Sequence, residues 1–160
     1  MRDIKFRVWD KFEKRMYKVE KIEWNCFGEI THIGVYENDS LCKSYTKNHN
    51  VERHDIIALE IMQYTGLHGK NGKEIYEGDI IKLKKIEIVS KDYIPPYDYE
   101  IIKEKGKLKT IATYETLIAG YDTRENAFRY KDKKGNFTTL IDCDIEVLGN
   151  IYDNPELLSK

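Results

Sequence analysis

The chain has 160 residues, a formal net charge of −1, 41% hydrophobic and 34% charged residues. That length suits one domain, or one domain with an appendage, and buries roughly 70% of the unfolded chain's surface without help from disulfides or metal. The near-neutral balance, which holds on both sides of residue 80, excludes a global basic field for nucleic acid or anionic membrane. Cys26, Cys42 and Cys143 are three and widely spaced, which fits free thiols in a reducing compartment better than a disulfide framework. No apolar run approaches the roughly 20 residues that span a bilayer, and the first residues lack a signal peptide's apolar stretch. The plain expectation is a cytoplasmic protein.

In chain order, Ile4, Phe6 and Val8 alternate with Lys5, Arg7 and Trp9, the period of a half-buried strand. Asp10 to Lys14 reads as a turn, Met16 to Trp24 as a second strand, and Gly28 as a turn before a third strand at Ile30 to Tyr36. Residues 37–54 are polar and read as loop. Ile56 to Tyr64 fits a helical face or a strand, with strand favoured in its second half. Asn71-Gly72 predicts a hairpin with a type I′ turn. Gly78-Asp79 opens a strand through Ile80, Ile81 and Leu83.

Tyr93 to Tyr99, with Pro95-Pro96 at its centre, reads as an exposed extended loop, because proline lacks the donor that helix or interior strand requires. Ile111 to Tyr114, Phe128 to Tyr130 and, after Gly135-Asn136, Phe137 to Leu140 are further strand candidates. Ile141 to Val147 alternates most cleanly of all. Asn154-Pro155 suits the cap and first residue of a short helical turn. Many short strands punctuated by Gly and Asn make the chain mainly β, as a barrel or sandwich.

Three blocks then carry a resemblance. The opening Arg2-Asp3-Ile4-Lys5-Phe6-Arg7-Val8-Trp9-Asp10 is similar to the start of YopX-family proteins. So are Met62-Gln63-Tyr64-Thr65-Gly66-Leu67, continuing through Asn71-Gly72-Lys73-Glu74-Ile75-Tyr76-Glu77-Gly78-Asp79-Ile80, and the closing Gly149-Asn150-Ile151-Tyr152-Asp153-Asn154-Pro155-Glu156-Leu157-Leu158. Their order is the family's and they span nearly the whole chain. The match departs at His68-Gly69, where a more charged pair is expected, and across residues 84–116. The resemblance implies an SH3-type barrel or roll of short antiparallel strands and a phage or prophage origin, and it implies no activity. It gives one domain over 1–160, with N-terminal strands and a polar loop in 1–54, and a barrel-forming part in 55–160 that carries an inserted loop near 84–107.

The candidate chemistries each stand beside a plainer reading. Gln63, Tyr64, Thr65, Gly66, Asn71, Gly72, Tyr76, Gly78, Asp79 and Asn150 are motif residues that turn geometry and packing account for. Asp142, Asp144 and Glu146 share one strand face, as Mg²⁺ ligands or as a solvated face. Cys26, Cys42, His49 and His54 lack the close cysteine pair that a zinc site uses. No elbow, catalytic cysteine context or phosphate loop argues for an enzyme, and no cofactor or metal is expected. Lys5, Arg7, Trp9 and Lys11 combine cations with a ring that can stack a base, so nucleic acid is one expected partner; the alternative is solubility and a core tryptophan. Lys103, Lys105, Lys107 and Lys109 share a face only if Gly106 does not turn the chain. Tyr93, Pro95, Pro96, Tyr97 and Tyr99 are rigid aromatic and proline residues suited to anchoring a protein partner, a second copy included, or to covering the core. The functional expectation is a non-enzymatic accessory module working through protein contacts.

Overall fold

The computed structural model describes residues 3–38, 41–47, 55–92, 94, 98–105, 107–124, 127–132, 137–138 and 144–159. The described chain is mainly β, with antiparallel strands and no helix beyond short 3₁₀ turns. It divides into two compact units, residues 1–64 and 65–160.

The first unit holds β1 (Phe6–Asp10), β2 (Arg15–Trp24), β3 (Ile30–Asn38), β4 (Leu41–Thr46) and the first part of β5 (Leu59–His68). Their order is β4-β3-β2-β1-β5. Register follows the alternation: Val8 stands opposite Tyr17 and Ile61, and Ile33 lies between Ile22 and Tyr45. Val8, Tyr17, Ile33, Val35, Tyr45 and Leu59 form the core. A 3₁₀ turn at Ile56–Ala58, capped by the Asp55 carboxylate, precedes β5 and divides the ambiguous segment into a helical start and an extended remainder. The polar stretch 37–54 is not all loop. It contains the end of β3 and all of β4, because Tyr45 supplies a fully buried side chain within an otherwise hydrophilic sequence.

The second unit begins within β5 and adds β6 (Glu74–Tyr76), β7 (Asp79–Ser90), β8 (Asp98–Lys105), β9 (Leu108–Asp122), β10 (Ala127–Lys131), β11 (Phe137–Thr138) and β12 (Asp144–Asn150). β6 lies beside β5, while the remaining order is β11-β10-β9-β7-β12, with β8 also on β9. Ile75, Ile81, Leu83, Leu117, Ala119 and Tyr130 form its core, flanked by Ile145 and Val147. Among the described residues neither strand order returns to its starting strand, so the strands form open sheets rather than a closed barrel.

Residues 84–107 differ most from expectation. The inserted loop is instead the second half of β7 and all of β8, and Tyr99 is a strand residue in register with Thr113. Tyr93, Pro95, Pro96 and Tyr97 lie outside the described residues.

The Asn71-Gly72 hairpin is present with a different turn. Only Gly72 has positive φ, +74°, and the Gly72 amide donates to the Gly69 carbonyl, while the Gly69 amide donates to that of Lys73. This is a three-residue loop, a type I turn closed by a left-handed glycine, and not the type I′ turn that needs two left-handed residues. A methyl group at Gly72 meets nothing within 4 Å, so its cost is conformational. Gly72→Ala is expected to lower stability by about 1 kcal/mol in urea titration, with Gly72→Asn losing less.

Candidate functional site

The most constrained polar group lies at the β1–β2 turn. Asp10 is fully buried at the end of β1. Its Oδ1 accepts the amides of Phe12 at 2.8 Å and Glu13 at 2.9 Å, which fixes the turn after it. Its Oδ2 accepts the Tyr45 hydroxyl at 2.6 Å and stands 4.0 Å from Lys43 Nζ. Lys43 also pairs with Glu13, which accepts the Tyr17 hydroxyl. The ammonium lies 5.2 Å from the Tyr45 ring centre and 5.6 Å from that of Tyr17, within cation–π range.

Burial presses the Asp10 carboxyl upward, but the Tyr45 hydroxyl, the two amides and Lys43 outweigh it and hold the group below its ordinary range. Hydrogen bonds from Lys43 and Tyr17 lower Glu13 likewise. Tyr17 is pushed up to about 12 by burial and by Glu13, and burial with Asp10 raises Tyr45. Both hydroxyls therefore act as donors at neutral pH. The arrangement braces the β1–β2 turn against β4, with the one ammonium of Lys43 serving both carboxylates. Sequence reading missed it because Asp10 and Tyr45 lie 35 residues apart. The one local signal was an aspartate entering a turn.

The motif residues serve similar ends. The Thr65 hydroxyl donates to the Ile75 carbonyl at 2.7 Å and accepts the Leu67 amide at 3.3 Å. Asp79 accepts the Tyr76 amide at 2.8 Å, around Gly78 at φ +76°. The Tyr76 hydroxyl donates to Glu74, and Gly66 has φ +85°. Gln63 lies opposite Phe6, while Tyr64 is buried beneath the Lys5 ammonium, 5.3 Å from its ring centre. Asn150 Oδ1 accepts the amides of Tyr152 and Asp153 at 2.9 Å, and its Nδ2 donates to Asp153 at 2.6 Å. Asn154 precedes the 3₁₀ turn Pro155–Leu158 as expected, but its side chain reaches back to the Asn150 amide instead of capping that turn.

The basic strand does not present the expected surface. Val8, Trp9 and Asp10 are all buried, so this end of β1 has no outward face, and Trp9, 5% exposed, cannot stack a base. Lys11 is bonded to Glu60 at 2.7 Å and to the Ile57 carbonyl, Lys5 lies 3.6 Å from Asp3, and Arg7 is half-buried. Lys103 and Lys105 are on β8 whereas Lys109 is on β9, so those lysines share no single strand. Glu146 is exposed on β12; Asp142, His49 and His54 lie outside the described residues. Cys26 is an exposed free thiol. Among the described residues, no group of three His, Cys, Asp or Glu is placed to hold a metal, and no helix is long and apolar enough to cross a membrane.

Exposed apolar side chains gather instead along the chain from β7 to β8. Ile88 is 71%, Ile94 74%, Ile101 46% and Ile102 48% exposed. In sequence, Ile94 lies within the Tyr- and Pro-bearing segment, with Ile88 before it and Ile101 and Ile102 after it.

Open antiparallel sheets whose motif residues brace turns describe a mainly β module. Residues 5–159 match the family model described as YopX protein, and the chain belongs to the YopX family. It is also similar to the crystal structure of protein EF1440 from Enterococcus faecalis, with a TM-score of 0.57, 24% identity and 99% of each chain covered; that likeness bears on the fold. No curated protein matches the chain.

Proposed function

We propose that this protein is a non-enzymatic accessory module, encoded by a phage or prophage, that acts in the host bacterial cytoplasm through protein contacts. The observation that carries the reading is the set of exposed isoleucines at 88, 94, 101 and 102, since exposed apolar surface marks interaction sites. Tyr93, Pro95, Pro96, Tyr97 and Tyr99, neighbours of these isoleucines in sequence, are the rigid anchors that this reading assigns to the contact. The SH3-type form belongs to this reading: β12, returning beside β7 after the β9–β10–β11 meander, makes the connection of a roll left open.

The test is affinity recovery of tagged protein from host lysate, with and without nuclease, beside the Ile101→Lys/Ile102→Lys variant. A protein that survives nuclease and is lost from the variant is the expected result. Recovery of that protein unchanged by the variant removes this surface from the reading. Material lost on nuclease treatment favours the alternative, nucleic-acid contact through Lys5, Arg7 and Lys11 with the exposed Lys14, Arg15 and Lys18.

A further inference from the structure

Strand β8 pairs with β9 along one side, and among the described residues no strand lies along the other. An edge of this kind offers a row of backbone donors and acceptors to another strand. Two features of the strand restrict what that other strand can be.

The first is its charge order. At alternate positions Asp98 and Glu100 occupy the first half and Lys103 and Lys105 the second, with Ile101 and Ile102 between them; the remaining pair of positions holds Tyr99 and Glu104. Laid antiparallel on itself about the isoleucine pair, the strand sets Asp98 against Lys105 and Glu100 against Lys103, twice over by symmetry. Laid parallel, it sets like charge against like. Opposite charges across a ladder stabilise it and like charges oppose it.

The second feature is the register break between Ile101 and Lys103. One extra residue interrupts the alternation of the strand. Both central isoleucines are left about half exposed. With the break at the centre, residues on one side of the first half meet residues on the same side of the partner's second half. Lysines and bulges commonly keep edges from pairing indiscriminately. Here their placement leaves one arrangement favourable, and it is self-complementary, as an isologous contact requires.

We propose that the free edge of β8 takes a second copy of this chain, antiparallel and two-fold symmetric, with Ile101 and Ile102 at the axis. The inference rests on the protein-contact reading and names one partner for that surface.

Sedimentation equilibrium of the full chain over a range of concentrations tests it. The native chain is expected to reach twice the chain mass. Asp98→Lys/Glu100→Lys makes the strand uniformly basic in the four paired positions, and Lys103→Glu/Lys105→Glu makes them uniformly acidic. Each variant alone is expected to stay at the chain mass. An equimolar mixture is expected to regain the dimer, as is the quadruple variant that exchanges all four charges. Circular dichroism melts matching the native chain establish that each variant is folded.

A native chain that stays monomeric at every concentration overturns the proposal, and so does a dimer that persists in both double variants. Monomeric charge variants that still recover a protein from lysate leave the protein-contact reading intact. Loss of that recovery in the Ile101→Lys/Ile102→Lys variant, with the native chain monomeric, assigns the surface to a different protein and overturns self-pairing alone.

Discussion

Asp10→Ala is expected to destabilise the first unit by about 3 kcal/mol, because it removes at once the acceptor used by the buried Tyr45 hydroxyl and two turn amides and one of the two carboxylates facing Lys43. Both tryptophans of the chain, Trp9 and Trp24, lie in that unit, so the fluorescence midpoint in urea reports it selectively. Asp10→Asn keeps an acceptor for the amides and loses the charge facing Lys43, so a smaller deficit is expected. The pH dependence has a definite sign. The folded carboxyl lies below its ordinary value of 3.8, so its stabilising contribution is complete above that value and disappears as pH falls through the lower, folded one. The gap between the native chain and Asp10→Ala should therefore narrow on acidification. A gap that is constant with pH would show that the carboxylate's charge contributes nothing.

Gly149→Ala is expected to cost about 2 kcal/mol in the second unit, by overpacking. A Cβ at Gly149 collides with the Asn154 carboxamide, 2.7 Å from its Cγ and 3.0 Å from its Cβ. That side chain is short, and its Cβ is fixed by the Asn154 amide bonded to the Asn150 carbonyl at 2.9 Å. Hydrogen exchange is expected to quicken in β12 and β7 while the tryptophan midpoint stays in place. In an Asn154→Gly background the same substitution should cost much less, and the two changes together should be less harmful than their sum. An additive pair would mean that the collision is relieved elsewhere.

Local pattern carried much of this fold. The strict alternation at Ile4–Trp9 and Ile141–Val147, of which residues 141–143 lie outside the described ones, and the glycines at 28, 72 and 78 placed strands and turns from residues a few positions apart. What failed depended on partners distant in sequence. β4 is hydrophilic apart from Leu41, Cys42 and Tyr45, and it is a strand because β3 lies beside it. In β8 the isoleucine pair breaks period two, and the nearby prolines drew the loop assignment over residues that β9 holds extended. Alternation correctly made β1 a strand, yet it left Trp9 open between an outward ring and a core one, because periodicity assigns faces without saying which become covered. The Asp10 cluster joins residues from three segments and had no pattern of its own. The family motif was legible as a motif, and hydrogen bonding then supplied its physical content at Thr65, Asp79 and Asn150.

The order of strands bears on synthesis at the ribosome. Ile81 and Leu83 of β7 stand beside Val147 and Ile145 of β12, the last of the described strands. While β12 is still within the exit tunnel, β7 has β9 on one side and a vacant ladder of core residues on the other. Domains form as units during elongation, and unpaired edges on such intermediates invite misassembly. The first unit, whose β1 finds its β5 partners at residues 59–63, is free of that delay. Completion of this ladder thus waits on the emergence of β12, and β7 stays open to wrong partners along that side until then.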